Sequence, residues 1–389
     1  MESPIAALKE QFRKVFGAGE TVHVIRAPGR VNLIGEHTDY NDGFVCPMAI
    51  EAQVLFACRA RQDALVRITS PEFDRGISEF SVGKKIERGT PAWSNYCRGV
   101  AAALVGEGVP LCGMDLLISS TLPVGGGLSS SAALEVGTAL CFLNLAGRAM
   151  EQMPLALLCQ KAEHEYALVP CGIMDQTIVV AAQAGAAMLL DCRRLTTGAV
   201  PIDAADLRVV IVNSMVKHEL ASGEYAVRRR QCQAAVAFFQ KENPAIKALR
   251  DVTLKDLEGA RGRLDDLTLR RARHVVTENL RTVQAAACLG QRKYQQAGEL
   301  MVQSHLSMRD DYQITCPQID LLVEEAMKIP GVYGARMTGG GFGGCIVALS
   351  QPLSVEAMGQ RLKTAYTAKF GLQPQIYVTT AAPGASVVE

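Results

Sequence analysis

Short apolar runs over 21–25, 48–58, 65–69 and 114–119 either alternate with polar positions or continue unbroken, and each predicts a strand. Helical spacing takes over at 130–146, 154–167 and 172–182, followed by a strand at 186–191. After Arg193 the segment LTTGAVPIDAAD carries turn residues and leads into a new strand, LRVVIVNS, so a domain boundary is expected near residue 195. Two domains, 1–195 and 196–389, suit a chain of 389 residues. Long helices are predicted at 223–239, 267–289, 294–311 and 316–328, then strand, loop and strand over 331–350 and a last strand at 375–379. Strands with helices in both parts predict an α/β (α+β) fold class. The chain shows no repeat and no low-complexity segment.

Composition narrows the partners. Forty Lys and Arg against 39 Asp and Glu give a net charge of +1, which supplies no electrostatic reason to expect nucleic acid or an anionic membrane. A small-molecule ligand is the expectation, with no obligate protein partner. The opening MESPIAALKEQFRKVF has helical spacing broken by charges rather than the apolar core of a leader, and no window reaches membrane-spanning length, so a cytoplasmic location is expected. Twelve cysteines form no C-x-x-C pair, and several, such as Cys58, Cys141 and Cys288, sit in apolar stretches that predict buried free thiols. The six histidines lack zinc-site spacing.

PVGGGLSSSA, over 123–132, lies between an apolar strand and an apolar helix. Gly125, Gly126 and Gly127 let backbone amides approach an anion closely, and a helix beginning after them would turn its positive end to the same place. Ser129, Ser130 and Ser131 offer N-cap acceptors, or hydroxyls for phosphate and metal. Two readings stay open on local grounds: a phosphate loop, or a small-residue turn before a capped helix. It is not a Walker A loop, since no lysine accompanies it.

RAPGRVNLIGEHTDY, over 26–40, gathers Arg30, Asn32, Glu36, His37, Asp39 and Tyr40 at a strand exit. Such a set can bind several hydroxyls of one polyol. In CGIMDQ, over 171–176, Asp175 opens an otherwise apolar helix; it either answers the helix N-terminus or pairs with an arginine that holds it ionised, with Arg30 the candidate. MTGGGFGGC, over 337–345, fits G-x-G-x-x-G but is followed by a strand, which excludes the dinucleotide fingerprint and leaves a glycine hairpin, closing over a ligand or simply packed. The clusters 228–230 and 270–273 read as solvated faces or ion pairs. Tyr225 can hydrogen-bond a hydroxyl or pack, and Trp93 can stack on a base or fill core.

Together these segments resemble the three signature motifs of the GHMP small-molecule kinases, and GRVNLIGEHTDYNDGF (29–44) is similar to the galactokinase signature. The likeness runs on through LPVGGGLSSSAALEV, AEHEYA, PCGIMDQ, SGEYAVRRRQC, SMRDDY and RMTGGGFGGC. It implies the two-domain GHMP kinase fold: an N-terminal domain like ribosomal protein S5, a ferredoxin-like C-terminal domain, and the active site between them. The implied reaction is ATP plus α-D-galactose giving α-D-galactose 1-phosphate and ADP. Carried over by motif, Asp175 is the catalytic aspartate and Arg30 the arginine that stabilises the transition state. Glu36, His37, Thr38, Asp39, Gly172 and Tyr225 match the galactose contacts. Residues Gly125, Gly126, Gly127, Leu128, Ser129, Ser130 and Ser131 match the phosphate loop; Ser131 and Glu163 match the Mg2+ ligands; Ser70 and Trp93 match the adenine region. Two other functions resemble this one: a non-catalytic sensor of galactose and ATP, against which the intact LSSSAA run argues, and a kinase for a related sugar such as N-acetylgalactosamine or arabinose, which would keep every phosphate-handling residue.

Overall fold

The unbroken apolar run Arg208–Asn213 forms a strand buried on both faces, and that burial sets the layering of the molecule. In the computed structural model, which describes residues 4–71, 74–123, 126–216 and 221–389, the chain begins with helix α1 (Pro4–Phe16) and strands β1 (His23–Asn32), β2 (Phe44–Val45), β3 (Pro47–Arg61), β4 (Leu65–Ser70) and β5 (Asp74–Ser81). Next come α2 (Ser94–Gly106), β6 (Gly113–Ser120), α3 (Ser130–Leu145), α4 (Gln152–Ala162), α5 (Met174–Ala181), β7 (Ala186–Asp191) and β8 (Thr196–Pro201). The rest comprises β9 (Arg208–Asn213), α6 (Ala221–Gln240), α7 (Leu254–Gly259), α8 (Asp266–Gly290), α9 (Tyr294–Ser307), α10 (Pro317–Ala326), β10 (Val332–Thr338), β11 (Cys345–Ser350), α11 (Val355–Phe370), β12 (Gln375–Thr379) and β13 (Ser386–Val387).

One sheet has the order β13-β1-β3-β6-β4-β5, with only β4 and β6 parallel. A second, fully antiparallel, runs β10-β11-β9-β12. Side chains alternate across a strand, so Val209 and Ile211 join the core of the first sheet while Val210 and Val212 join the core of the second. β11 divides in the same way, with Cys345, Val347 and Leu349 on one side and Ile346 and Ala348 on the other. A sheet covered on both faces needs no polar alternation, which is why these strands read as continuous apolar runs. Helix α3 is likewise apolar around its circumference because sheet and helices enclose it.

Several expectations shift. The segment after Arg193, expected to be turn-rich chain, contains β8, which pairs along its length with β7 in a third sheet of order β2-β7-β8. The residues of β8 are mostly exposed with only Val200 buried, so it carried no apolar signal. Helices α2 and α11 were not predicted; α11 buries only Met358, Leu362 and Tyr366, a narrow i, i+4, i+8 stripe among charges. The arginine clusters are not simply solvated. Arg228 donates to the carbonyls of Tyr312 (2.9 Å) and Gln313 (2.8 Å), and Arg271 to that of Asp311 (2.5 Å), closing the carbonyl end of the α9 segment. All twelve cysteines are free thiols.

Candidate active site

Strand β1 carries the first motif into the site. A bulge between Pro28 and Arg30 interrupts its pairing with β3, and at Gly29 a Cβ would meet Leu122 Cδ2 at 2.3 Å and the Leu128 carbonyl at 3.0 Å. Only glycine lets the serine loop approach so closely. Arg30 then lies beneath that loop and is 6% exposed. Its Nε donates to Asp175 Oδ1 (2.7 Å), one Nη to Asp175 Oδ2 (2.6 Å), and the other to the Gly127 carbonyl (2.7 Å). Burial opposes the Arg30 charge, but Asp175, with Glu36 and Asp39 behind it, holds the guanidinium above its ordinary value. The bidentate geometry fixes Asp175 in the first turn of α5.

Ser129 departs from the expected N-cap. It precedes α3 with φ of +56° and makes no capping hydrogen bond; its hydroxyl donates instead to Asp175 Oδ2. The N-terminal end of α3, whose first amides have no intrahelical partner, thus opens beside the aspartate. That arrangement suits a phosphate chain.

The hydroxyl-binding side is built from the loop after β1. Glu36, 2% exposed, accepts from the Gly339 amide (2.6 Å) and from Asn32 Nδ2; burial raises its pKa while Arg336 opposes the rise. His37 adopts φ of +61°, and burial, then His274, pushes its pKa down to about 3, so the ring is neutral. Asp39 is pushed up to about 7 by burial and then by Asp175. At Gly172 a Cβ would meet Asp39 Oδ2 at 1.8 Å, so that glycine makes room for the carboxylate. Tyr225 of α6 packs on His37 and Tyr40, with ring centroids 5.4 and 5.2 Å away.

These groups line one cavity of about 300 Å³, together with Gly339 and Gly340 of the β10–β11 hairpin. Gly339–Gly344 therefore joins two antiparallel strands, as a hairpin should and a dinucleotide turn should not. Among the expected residues, Arg30, Glu36, His37, Asp39, Gly127, Leu128, Ser129, Ser130, Ser131, Glu163, Gly172, Asp175 and Tyr225 meet at this cavity. Thr38 does not: its hydroxyl lies 2.8 Å from the Gly35 carbonyl and 2.6 Å from that of Phe44, so it braces the loop. Gly126 stands behind the wall, where its carbonyl accepts from Cys345 Sγ (2.9 Å). Ser70 is wholly buried at the end of β4, and Trp93 packs on the first core before α2; neither lines the cavity. Gly125 lies outside the described residues.

Two functional neighbours escaped the motif reading. Gln176 Nε2 bridges Glu135 Oε2 (3.0 Å) and Glu163 Oε2 (2.7 Å). Burial, then the neighbouring carboxylate, pushes Glu135 well up; burial, then Asp175, pushes Glu163 up to about 7. The signal was a lone carboxylate inside the apolar helix ALEVGTAL. Glu163 begins a wide π-type turn, 163–167, that ends α4. Among the described residues Glu135 Oε1 has no hydrogen-bond partner.

Three family models match the chain. The galactokinase galactose-binding signature matches residues 10–60, the GHMP kinase N-terminal domain 95–183 and the GHMP kinase C-terminal domain 285–368. A galactokinase of Homo sapiens is 45% identical over 390 residues, spanning 99% of this chain and 96% of that one. The chain belongs to the galactokinase family. It is an ATP-dependent sugar kinase with the two-domain GHMP kinase fold. The structure of a Lactococcus lactis galactokinase complexed with galactose aligns with a TM-score of 0.95 at 34% identity, covering 99% of this galactokinase-family chain and all of that one. Methanococcus jannaschii mevalonate kinase, at 16% identity and a TM-score of 0.65, shares the fold.

Proposed function

We propose that this kinase transfers the γ-phosphoryl group of ATP to the anomeric hydroxyl of α-D-galactose, giving α-D-galactose 1-phosphate and ADP. The observation that carries the reading is the Arg30 fork on Asp175 at the mouth of the serine loop. Phosphoryl transfer passes through a loose transition state in which positioning and charge stabilisation matter more than a strong base. Asp175 orients the anomeric hydroxyl and accepts its proton late, as the oxygen–phosphorus bond forms. Arg30 holds that carboxylate in place and offsets negative charge building on the transferring group. Glu36, His37 and Asp39 bind the other sugar oxygens, Tyr225 covers them, and the loop amides with the end of α3 take the phosphates.

Mg2+ suits the donor set on the other wall. Ser131 and Glu163 present hard oxygen ligands, and the buried carboxylates Glu135 and Glu163, which have no arginine or lysine paired with them among the described residues, would be relieved by a divalent cation. Bound there, Mg2+ would neutralise phosphate charge. A cytoplasmic setting is in keeping with twelve free thiols and with the absence, among the described residues, of any helix long and apolar enough to cross a membrane.

The test is to incubate the protein with MgATP and galactose and follow ADP and galactose 1-phosphate. Equal amounts of both products, abolished by Asp175→Ala, are expected. Tight binding of galactose and ATP without turnover would replace the reading with that of a sensor.

A further inference from the structure

The Gly340 carbonyl oxygen can only accept a hydrogen bond, and it lies 3.3 Å from His37 Nε2. That nitrogen therefore carries the proton of the neutral ring, and Nδ1 is the acceptor. Tyr40 OH, 2.7 Å from Nδ1, must donate to it. Its single proton is thereby committed, so Tyr312 OH, 2.8 Å away, must donate to Tyr40. By the same step Cys232 Sγ, 3.1 Å from Tyr312 OH, donates its thiol proton to Tyr312.

Asn41 Nδ2 donates to the His37 carbonyl (2.9 Å) and holds the turn that carries the ring. Run the other way, the Nε2 lone pair would face the Gly340 oxygen. Burial pushes both tyrosine hydroxyls well up and the thiol up to about 11, so every link keeps its proton near neutral pH.

We propose that Tyr40, Tyr312 and Cys232 form a one-directional hydrogen-bond chain that fixes His37 as an Nε2–H donor facing the sugar cavity, which makes them positioning residues for sugar recognition. The chain links the loop after β1 to α6 and to the segment ending α9. It sets the sense of one contact: a sugar oxygen that reaches Nε2 takes the proton otherwise held by the Gly340 carbonyl on the same cavity wall, so His37 gives a hydrogen bond to the sugar and does not take one from a sugar hydroxyl. The sugar half of this inference rests on the function proposed above; the tautomer does not.

Long-range 1H–15N NMR of the full-length protein with 15N-labelled histidine reads the ring directly, with the His37 signals assigned by their loss in His37→Asn. The expected wild-type pattern is a protonated Nε2 and a hydrogen-bonded, unprotonated Nδ1. Tyr40→Phe should move the Nδ1 shift to that of an unbonded imine nitrogen and raise KM for galactose about tenfold, with kcat and KM for ATP within about twofold of wild type. Tyr312→Phe should move the same shift in the same sense, with a rise in galactose KM of about two- to threefold. A protonated Nδ1 in the wild type, an unmoved Nδ1 shift in Tyr40→Phe, or equal rises in KM for galactose and ATP would each overturn the proposal. If the protein makes no galactose 1-phosphate, the NMR pattern still decides the direction of the chain.

Discussion

Two buried arginines stand on either side of the sugar loop, and their partners differ in a way that separates chemistry from scaffolding. Arg30 holds Asp175 in a bidentate fork, and that carboxylate is 23% exposed to the cavity. Arg336 is 0% exposed and lies 3.8 Å from both Glu36 and Glu278, neutralising two buried carboxylates without a direct hydrogen bond to either. Its own donors go to Ser304 Oγ, the Asn32 carbonyl and Met308 Sδ. Burial pushes Glu278 upward, but Arg281 and Arg336 more than compensate and hold it down to about 2. The same guanidinium chemistry thus keeps a reactant-facing carboxylate in register at one place and makes a buried charge cluster tolerable at the other.

Substitutions can break that contrast. Arg30→Met should lower kcat by on the order of 10³-fold, because the transition state loses its charge partner. Stability should fall by only about 1 kcal/mol, since Asp175 can hydrate through the cavity. A steady-state assay beside a thermal melt reads both, and an equally large loss of stability would erase the distinction. Arg336→Met should destabilise by about 3–5 kcal/mol, because the buried carboxylates Glu36 and Glu278 lose a compensating charge. Urea unfolding measures it, and a wild-type midpoint would remove Arg336 from its role.

The smallest expected effect concerns Asp39. Its folded pKa of about 7 exceeds the ordinary 3.8, so between those values the native state holds a proton that the unfolded chain releases. Stability from this group is full below about pH 4 and is lost as pH rises toward 7. Asp39→Asn should therefore gain stability relative to wild type on going from pH 5 to pH 8, by about 2 kcal/mol. Melts at the two pH values check this, and a pH-independent difference would contradict it.

How much of this was legible in the chain follows from what kind of signal each part leaves. Arg30, Glu36, Asp39 and Asp175 stood out because charged residues at a strand exit or on an apolar helix have few structural uses. The 331–350 strand pair was legible because glycines followed by a strand cannot form a dinucleotide turn. Helix α11 was not, because three buried side chains in sixteen residues leave little periodicity. Arg228 and Arg273 make ion pairs of the kind the clusters allowed, with Glu224 and Asp311, but the further bonds of Arg228 and Arg271 were not legible, because their acceptors, the carbonyls of 311–313, lie 40 or more residues away and leave no local trace. Ser70 came from motif likeness alone, and Trp93 from that likeness and from the reading that it stacks on a base or fills core; neither lines the cavity. The Tyr40–Tyr312–Cys232 chain joins three distant segments and is visible only once the chain is folded.

Single-turnover transfer from γ-labelled ATP to galactose, wild type against Asp175→Asn, tests the central claim most directly. Loss of the proton acceptor, with Arg30 left uncompensated, should slow transfer by about 10²–10⁴-fold while both substrates still bind. Transfer at the wild-type rate would show that the Arg30–Asp175 pair is not the reaction centre.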